Sequence, residues 1–402
     1  AGTDTLSIEE DDAIALTTAA VELTKISNIE IINLTDTLAG NVTLSFFGAA
    51  STLELSAGID ATDRTLTLVS GDTIDLEADA GDDITIVASG SGTSDIVNLI
   101  LNNADIAANI QAATLETLNI TTTGTADAGV NTITGTTAIN AIAGTQSIVI
   151  NGGEALTFTG AITADDVDGS TMTDVLTISA GTSAGATIKG GSASDTIAVG
   201  DANADVVEGG AGADTITFDI EVSDVITGGA GADVFLMDND TDTAAAGALI
   251  QDIAAEDDLD LDLSTIEVLT IDGGTAVTEL TDAAGNDVVA GDLTVVSVTA
   301  DNTALASGHI FMLSGKTYAD SAAALADIQT SGARTFTVAA NYADNDASLI
   351  AYELASGGME IAGVQASATT ATSDILDHID VLVTLAGVTQ STFLTLDIDA
   401  VA

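Results

Sequence analysis

The chain of 402 residues contains no cysteine, no proline and no tryptophan. Without cysteine there is no disulfide framework, so stability outside a reducing compartment has to come from burial or bound ions. Proline cannot donate to a β ladder, and its absence suits long uninterrupted strands. Aromatic residues make up only 3%. A core of Ala, Val, Ile, Leu and Thr is thin and regular, which fits stacked β coils better than an enzyme with a deep pocket. The two histidines, His309 and His378, are isolated, and no HExxH or Gly-x-Ser-x-Gly motif occurs. Acid pairs for glycoside hydrolysis lack the aromatic subsites that carbohydrate enzymes use. The chain is therefore expected not to be an enzyme. No apolar run reaches the roughly 18 residues of a membrane-spanning helix, and AGTDTLSIEEDD shows no secretory leader.

Positive charge is the scarcest property of all. Five Lys and Arg stand against 62 acids, a net charge of −57, and 47 of the acids are Asp against 15 Glu. Phosphates would be repelled, so nucleic acid is excluded as a natural partner, and an anionic membrane is disfavoured. Solubility in salty water accounts for some of the acid. The Asp bias points further, because Asp suits tight turns where its carboxylate meets a cation. Self-repulsion at −57 predicts a chain that folds on bound cations and loosens without them.

Apolar residues reach 46%. From about Ser51 to Phe158 they fall in short runs such as TLEL (52–55), TLTLV (65–69), TIDLE (73–77) and DITIV (83–87), separated by Gly, Asp, Asn and Ser. Each run alternates apolar and polar residues like a short strand, and the runs recur about every ten residues. An antiparallel sandwich produces a similar rhythm, but Asn-Gly and Asp-Gly hairpin signals are scarce. The fold class expected is mainly β: a parallel β-solenoid with Gly/Asp turns and a smaller α+β C-terminal cap. Four regions are expected: an N-terminal segment (1–50), a solenoid body (51–189) with a helical insertion near 95–118, a roll (190–266) and an α+β region (267–402). In the last, helices are expected near 318–330 and 371–385.

The sharpest motif lies in 190–236. The template G-G-x-G-x-D-x-U-x, with U a large apolar residue, is matched fully by GGAGADTIT and GGAGADVFL and partly by three neighbouring units. Its aspartates are Asp195, Asp205, Asp214, Asp224 and Asp233. Its turn glycines are Gly190, Gly191, Gly209, Gly210, Gly212, Gly228, Gly229 and Gly231. Ile197, Val207, Ile216, Ile226 and Phe235 hold the U positions. Six residues make a turn and three a strand, and two units close one coil. Asp195, Asp214 and Asp233 are then expected on one edge, and Asp205 and Asp224 on the other. Glycines permit close turns, and their carbonyls with the Asp carboxylates offer hard oxygen ligands for Ca2+. Val199 and Phe218 are extra residues that bulge or extend a strand. Asn203 and Val222, where the inner glycine would stand, weaken the 205/224 edge. The acidic loops AGDDI (80–84), TADDVDGS (163–170) and AAEDDLDLD (254–262) are further candidates for metal.

This stretch resembles the calcium-binding RTX β-roll repeats of type I secreted bacterial proteins. The segment ADVFLMDNDTDTAAAGALIQDIAAEDDLDLDLSTI is similar to the region after the last repeat in that family, with Asp252-Ile253 where Asp-Phe is usual. HIDVLVTLAGVTQSTFLTLDIDAVA is similar to RTX C-termini, which implies an uncleaved secretion signal. The Thr/Ala/Gly-rich body, with TLETLNITTTGT, is similar in composition to RTX-containing surface-layer (S-layer) proteins. The resemblance implies a secreted, extracellular cell-surface protein whose partner is itself, in a calcium-dependent lattice or filament, with cell-surface polysaccharide as a possible anchor. An RTX adhesin or matrix protein binding cells or glycans is the alternative, and would need a distinct binding face. A secreted enzyme exported by its RTX part would need a clustered active site in 1–180 or 267–370.

Overall fold

The computed structural model describes residues 2–13, 28–89, 94–112, 114–124, 130–139, 145–179, 185–199, 204–219, 223–237, 247–262, 270–271, 275–276, 291–292, 294–299, 303–304, 309–329, 336–337, 347–367 and 375–401. The chain is mainly β and its long ladders are parallel, the architecture of a β-solenoid or roll with a small helical part. It divides into two compact units. The first holds residues 1–200 with 210–212, and the second holds 201–209 with 213–402.

In the first unit the coils begin with three faces. One coil runs from Thr52–Leu55 through the bridge residue Ile59 to Arg64–Leu68, and the next from Thr73–Leu76 through Ala80 to Ile84–Ala88. Strands on each face pair in parallel with the equivalent strands of neighbouring coils. The first ladder runs from Thr5–Ile8 to Thr187–Lys189, and the third from Val42–Thr43 to Ile162–Thr163. The second face begins as single bridges at Leu38, Ile59, Ala80 and Ile106. It widens into a ladder of Asn131–Ile133, Leu156–Phe158, Leu176–Ile178 and Thr196–Ala198. Among the described residues no third-ladder strand follows Ile162–Thr163.

Alternation drives this winding. In Thr52–Leu55, Thr73–Leu76 and Ile84–Ala88 every second residue is buried, which turns Leu53, Leu55, Ile74, Leu76, Ile84 and Ile86 inward. Each buried Leu or Ile stabilises the coil by about 1.5–3 kcal/mol before entropy is counted. The coil cannot slip by one residue, because every apolar side chain would then face water.

The second unit has two parallel ladders of its own. One pairs Val225–Ala230 with Ala248–Ile250, and the other joins Thr215–Phe218, Val234–Met237 and Asp258–Asp262. Two distant strands complete them. Ile375–Leu385 pairs in parallel with Ala248–Ile250, and Asp397–Val401 with Asp258–Asp262. Thr294–Val298, His309–Tyr318, Ala347–Leu354 and Met359–Ser367 extend the first ladder beyond Ile375–Leu385. The helix Ser321–Ile328 buries Ala324 and Ile328 in a cluster with Phe311, Tyr318, Ile350 and Tyr352. Asp320 caps it, accepting from the Ala323 N–H at 2.8 Å.

Three expectations are corrected. Residues 1–50 are not a separate segment, because Thr5–Ile8 pairs with Ile31–Leu34, which pairs with Thr52–Leu55. The helical insertion near 95–118 is replaced by strands Ile96–Asn102, Ile110–Ala112 and Thr117–Thr123. There Val97, Leu99 and Leu101 alternate inward, and parallel neighbours satisfy the backbone that a helix would have satisfied locally. The helix expected over 371–385 is likewise the strand Ile375–Leu385, held between partners on both sides. The boundary expected at 266/267 lies outside the described residues, and within the second unit 375–401 returns onto 248–262. The helix expected near 318–330 is present as Ser321–Ile328.

Candidate functional site

The repeat aspartates form rows of buried carboxylates. Asp195, Asp205, Asp214, Asp224 and Asp233 are all 2% exposed or less. In the second unit, the Asp214 N–H donates to Asp233 Oδ1 at 2.9 Å, and the Asp205 N–H donates to Asp224 Oδ1 at 2.9 Å, each across 19 residues. In the first unit, Asp195 Oδ1 accepts from the Leu176 N–H at 2.7 Å, again across 19 residues, and Asp195 Oδ2 accepts from Gly191 at 2.6 Å. The carboxylates of Asp195, Asp224 and Asp233 therefore each tie their own coil to the backbone of the coil before it.

The two expected edges are separate in the second unit. Asp214 and Asp233 precede Thr215–Phe218 and Val234–Met237 in one ladder, whereas Asp224 precedes Val225–Ala230 in the other. Asp195 stands in the same place before Thr196–Ala198 of the first unit. The U side chains Ile197, Val207, Ile216, Ile226 and Phe235 are all fully buried beneath these turns. Phe218 extends its strand and packs inward opposite Met237. Asn203 and Val222 lie outside the described residues.

One member of a row escaped the 19-residue rule. Asp257 Oδ1 accepts from the Asp233 N–H at 3.0 Å across 24 residues, and its Oδ2 accepts from Ala254 at 2.7 Å. Asp252 accepts from the Gly228 and Gly229 N–H groups at 2.9 Å each. The stretch 252–257 thus closes the row as one more turn, without its glycines. The only sequence signal was the acidic run 254–262, whose spacing is irregular.

The turn glycines serve two purposes. Gly210, Gly212, Gly229 and Gly231 have φ of +111°, +128°, +106° and +152°, where L side chains are strained. Gly209 and Gly228 are needed for space. A Cβ on Gly209 would stand 2.5 Å from the Gly228 carbonyl oxygen and 2.6 Å from Asp214 Oδ2, and one on Gly228 would stand 2.5 Å from Asp233 Oδ2. Carboxylate and carbonyl oxygens thus converge on the glycine backbone. Gly191 has the same role in the first unit, where a Cβ would meet the Met172 carbonyl at 2.6 Å. Gly190 is buried beside it.

Burial raises the carboxyl pKa values of Asp195, Asp224 and Asp233. Asp195 is pushed up by burial, against the opposing N–H groups of Leu176 and Gly191. Asp233 is pushed up by burial, and the charges of Asp257 and Asp252 add to it. Asp224 is moved furthest, to about 7, by burial first, with the Asp205 and Asp219 charges adding. Its Oδ2 is buried with no hydrogen bond at bonding geometry, although the nearby Asp219 N–H favours the charged form.

Two further acid groups bring oxygens within 4.8 Å of one another: Asp63, Asp82 and Asp83 in the first unit, and Asp258, Asp397 and Asp399 in the second. The loops AGDDI and AAEDDLDLD thus acquire partners that are remote in sequence. The donors of the rows and of both groups are carboxylates and carbonyls alone. Such hard oxygen sets fit Ca2+ rather than zinc or copper. No family model matches the chain, and neither a curated protein nor a solved structure matches it.

Proposed function

We propose that the chain is an extracellular structural protein of the RTX type that assembles with copies of itself, as a surface layer or surface filament, when Ca2+ occupies its aspartate rows. The observation that carries this reading is the stacking of fully buried aspartates whose carboxylate oxygens converge with glycine-turn carbonyls from coil to coil. Burying carboxylate charge is strongly disfavoured unless it is compensated. A divalent cation is the compensation that suits an all-oxygen, all-acidic donor set. Asp214, Asp233, Asp205 and Asp224, with carbonyls of the glycine turns, would hold it in the second unit, and Asp195 in the first. Bound there, Ca2+ supplies positive charge between coils that otherwise repel.

The absence of a catalytic constellation in the sequence supports a structural role, and the −57 charge supports a cation as the agent that lets copies approach. Cell-surface polysaccharide is the anchor implied by the resemblance to S-layer proteins. The test is electron microscopy and sedimentation of the purified chain with Ca2+ and then with excess chelator. Ordered sheets or filaments that disperse in chelator are expected, with loss of part of the β signal in circular dichroism. Association and β signal that both persist unchanged in chelator overturn the reading.

A further inference from the structure

The 205/224 edge of the second unit, weakened in sequence by Asn203 and Val222, holds an acid that has no place in the repeat template. Asp219 stands five residues before Asp224, where Gly209 stands before Asp214 and Gly228 before Asp233. It is 4% exposed, and Asp205 and Asp224 are 1% and 0% exposed.

The two glycines show where a side chain at this place points. Neither has a left-handed φ, so space rather than backbone conformation selects glycine there. A Cβ on Gly209 would stand 2.6 Å from Asp214 Oδ2, and one on Gly228 would stand 2.5 Å from Asp233 Oδ2. A side chain at the first position of a turn is thus directed at the carboxylate of that same turn. At 219 the chain has a real side chain in that position, and it is a second acid. Its charge and its backbone N–H both act on Asp224. Asp224 Oδ1 accepts from the Asp205 N–H at 2.9 Å, whereas its Oδ2 is buried with no hydrogen bond at bonding geometry. Such an oxygen is placed to meet a cation. Without one, a further buried carboxylate only adds repulsion that glycine would have avoided.

We infer that Asp219 is a third carboxylate ligand of the divalent cation at the 205/224 edge, in the place of a turn glycine, so that this edge holds Ca2+ more tightly than its two repeat aspartates alone would. Ligand charge is one of the properties that set Ca2+ affinity in all-oxygen sites. The inference rests on the Ca2+ occupancy in the proposed function and not on association between copies.

Calorimetric titration of the full chain with Ca2+ at pH 7 tests it. In Asp219→Asn and in Asp219→Gly, which restores the residue of the template, one ion per chain is expected to bind at least about tenfold more weakly. Glu54→Gln, which removes a carboxylate from the first unit, is expected to bind like the unaltered chain. In chelator both Asp219 variants are expected to melt at or above the temperature of the unaltered chain, because each removes a buried like charge. A variant that melts lower in chelator gives Asp219 a structural role and overturns the inference. A loss of affinity as large in Glu54→Gln overturns it too, since net charge alone would then be the cause. Asp219 variants that bind as many ions as tightly as the unaltered chain overturn it while leaving the proposed function standing. An unaltered chain that binds no Ca2+ overturns both.

Discussion

Replacing Asp224 by Asn should change stability in opposite directions with and without Ca2+. Asp224 is fully buried, and its carboxyl is raised from 3.8 to about 7, chiefly by burial. A carboxyl raised in the folded state binds protons more tightly there than in the unfolded chain. Its penalty is absent below the unfolded value, grows as pH rises from about 4, and is fully present above about 7. At roughly 1.4 kcal/mol per pH unit, the upper bound near neutrality is about 4 kcal/mol, and local relaxation reduces it to roughly 2. Asn keeps an oxygen for the Asp205 N–H and removes the charge. In chelator at pH 7, Asp224→Asn should therefore unfold later than the unaltered chain, by roughly 2 kcal/mol. With Ca2+ the order should reverse. A cation at 100 times its dissociation constant stabilises the folded state by about 2.7 kcal/mol, and the Asn variant forfeits much of that. Calorimetric unfolding in the two conditions measures both signs. A variant less stable in both conditions, or more stable in both, would refute the claim that Asp224 is a charge waiting for a cation.

The same packing governs other substitutions. Gly209→Ala and Gly228→Ala should each cost more than about 2 kcal/mol, because the added Cβ meets oxygen at 2.5 Å, whereas Gly153→Ala should change urea midpoints little, since its nearest new contact is at 3.5 Å. Asp75, raised to about 6 by burial and by the Glu77 and Glu54 charges, should destabilise the first unit progressively as pH climbs from about 4 to about 6. Asp75→Asn should remove that decline and raise the melting temperature at pH 7 by a few degrees, with about 1–2 kcal/mol expected after solvent screening. Asp327→Ala should destabilise the second unit by about 2–3 kcal/mol, because the buried Tyr318 hydroxyl donates to Asp327 Oδ2 at 2.6 Å and Lys316 to Oδ1 at 2.6 Å. Asp327→Asn should recover part of the loss in the same urea titration.

Much of the candidate site was legible because it is local. Gly209, Gly210, Gly212 and Asp214 lie within six residues, and backbone conformation and close approach select those residue types by themselves. A 19-residue step then places Asp233 against Asp214 and Asp224 against Asp205. Asp257 was not legible by that rule. Its step is 24 residues and its turn has no glycine, so only the coordinates show it receiving the Asp233 N–H. The triad of Asp258, Asp397 and Asp399 was hidden for a stronger reason: Asp258 is separated from the other two by more than a hundred residues of chain.

The misread helices teach a similar lesson. In 96–102 and 375–385 the local spacing of Leu, Ile and Ala is compatible with either period, and short apolar runs do not choose between them. Neighbouring strands chose, by offering backbone partners on both sides. Sequence alone therefore determined what depends on near neighbours: the β class, the inward alternation, the glycine turns and the acidic excess. Tertiary structure decided how many faces a coil has, which strands close the ladders and which remote carboxylates meet. Those outcomes depend on pairing between segments whose separation along the chain leaves no periodic trace.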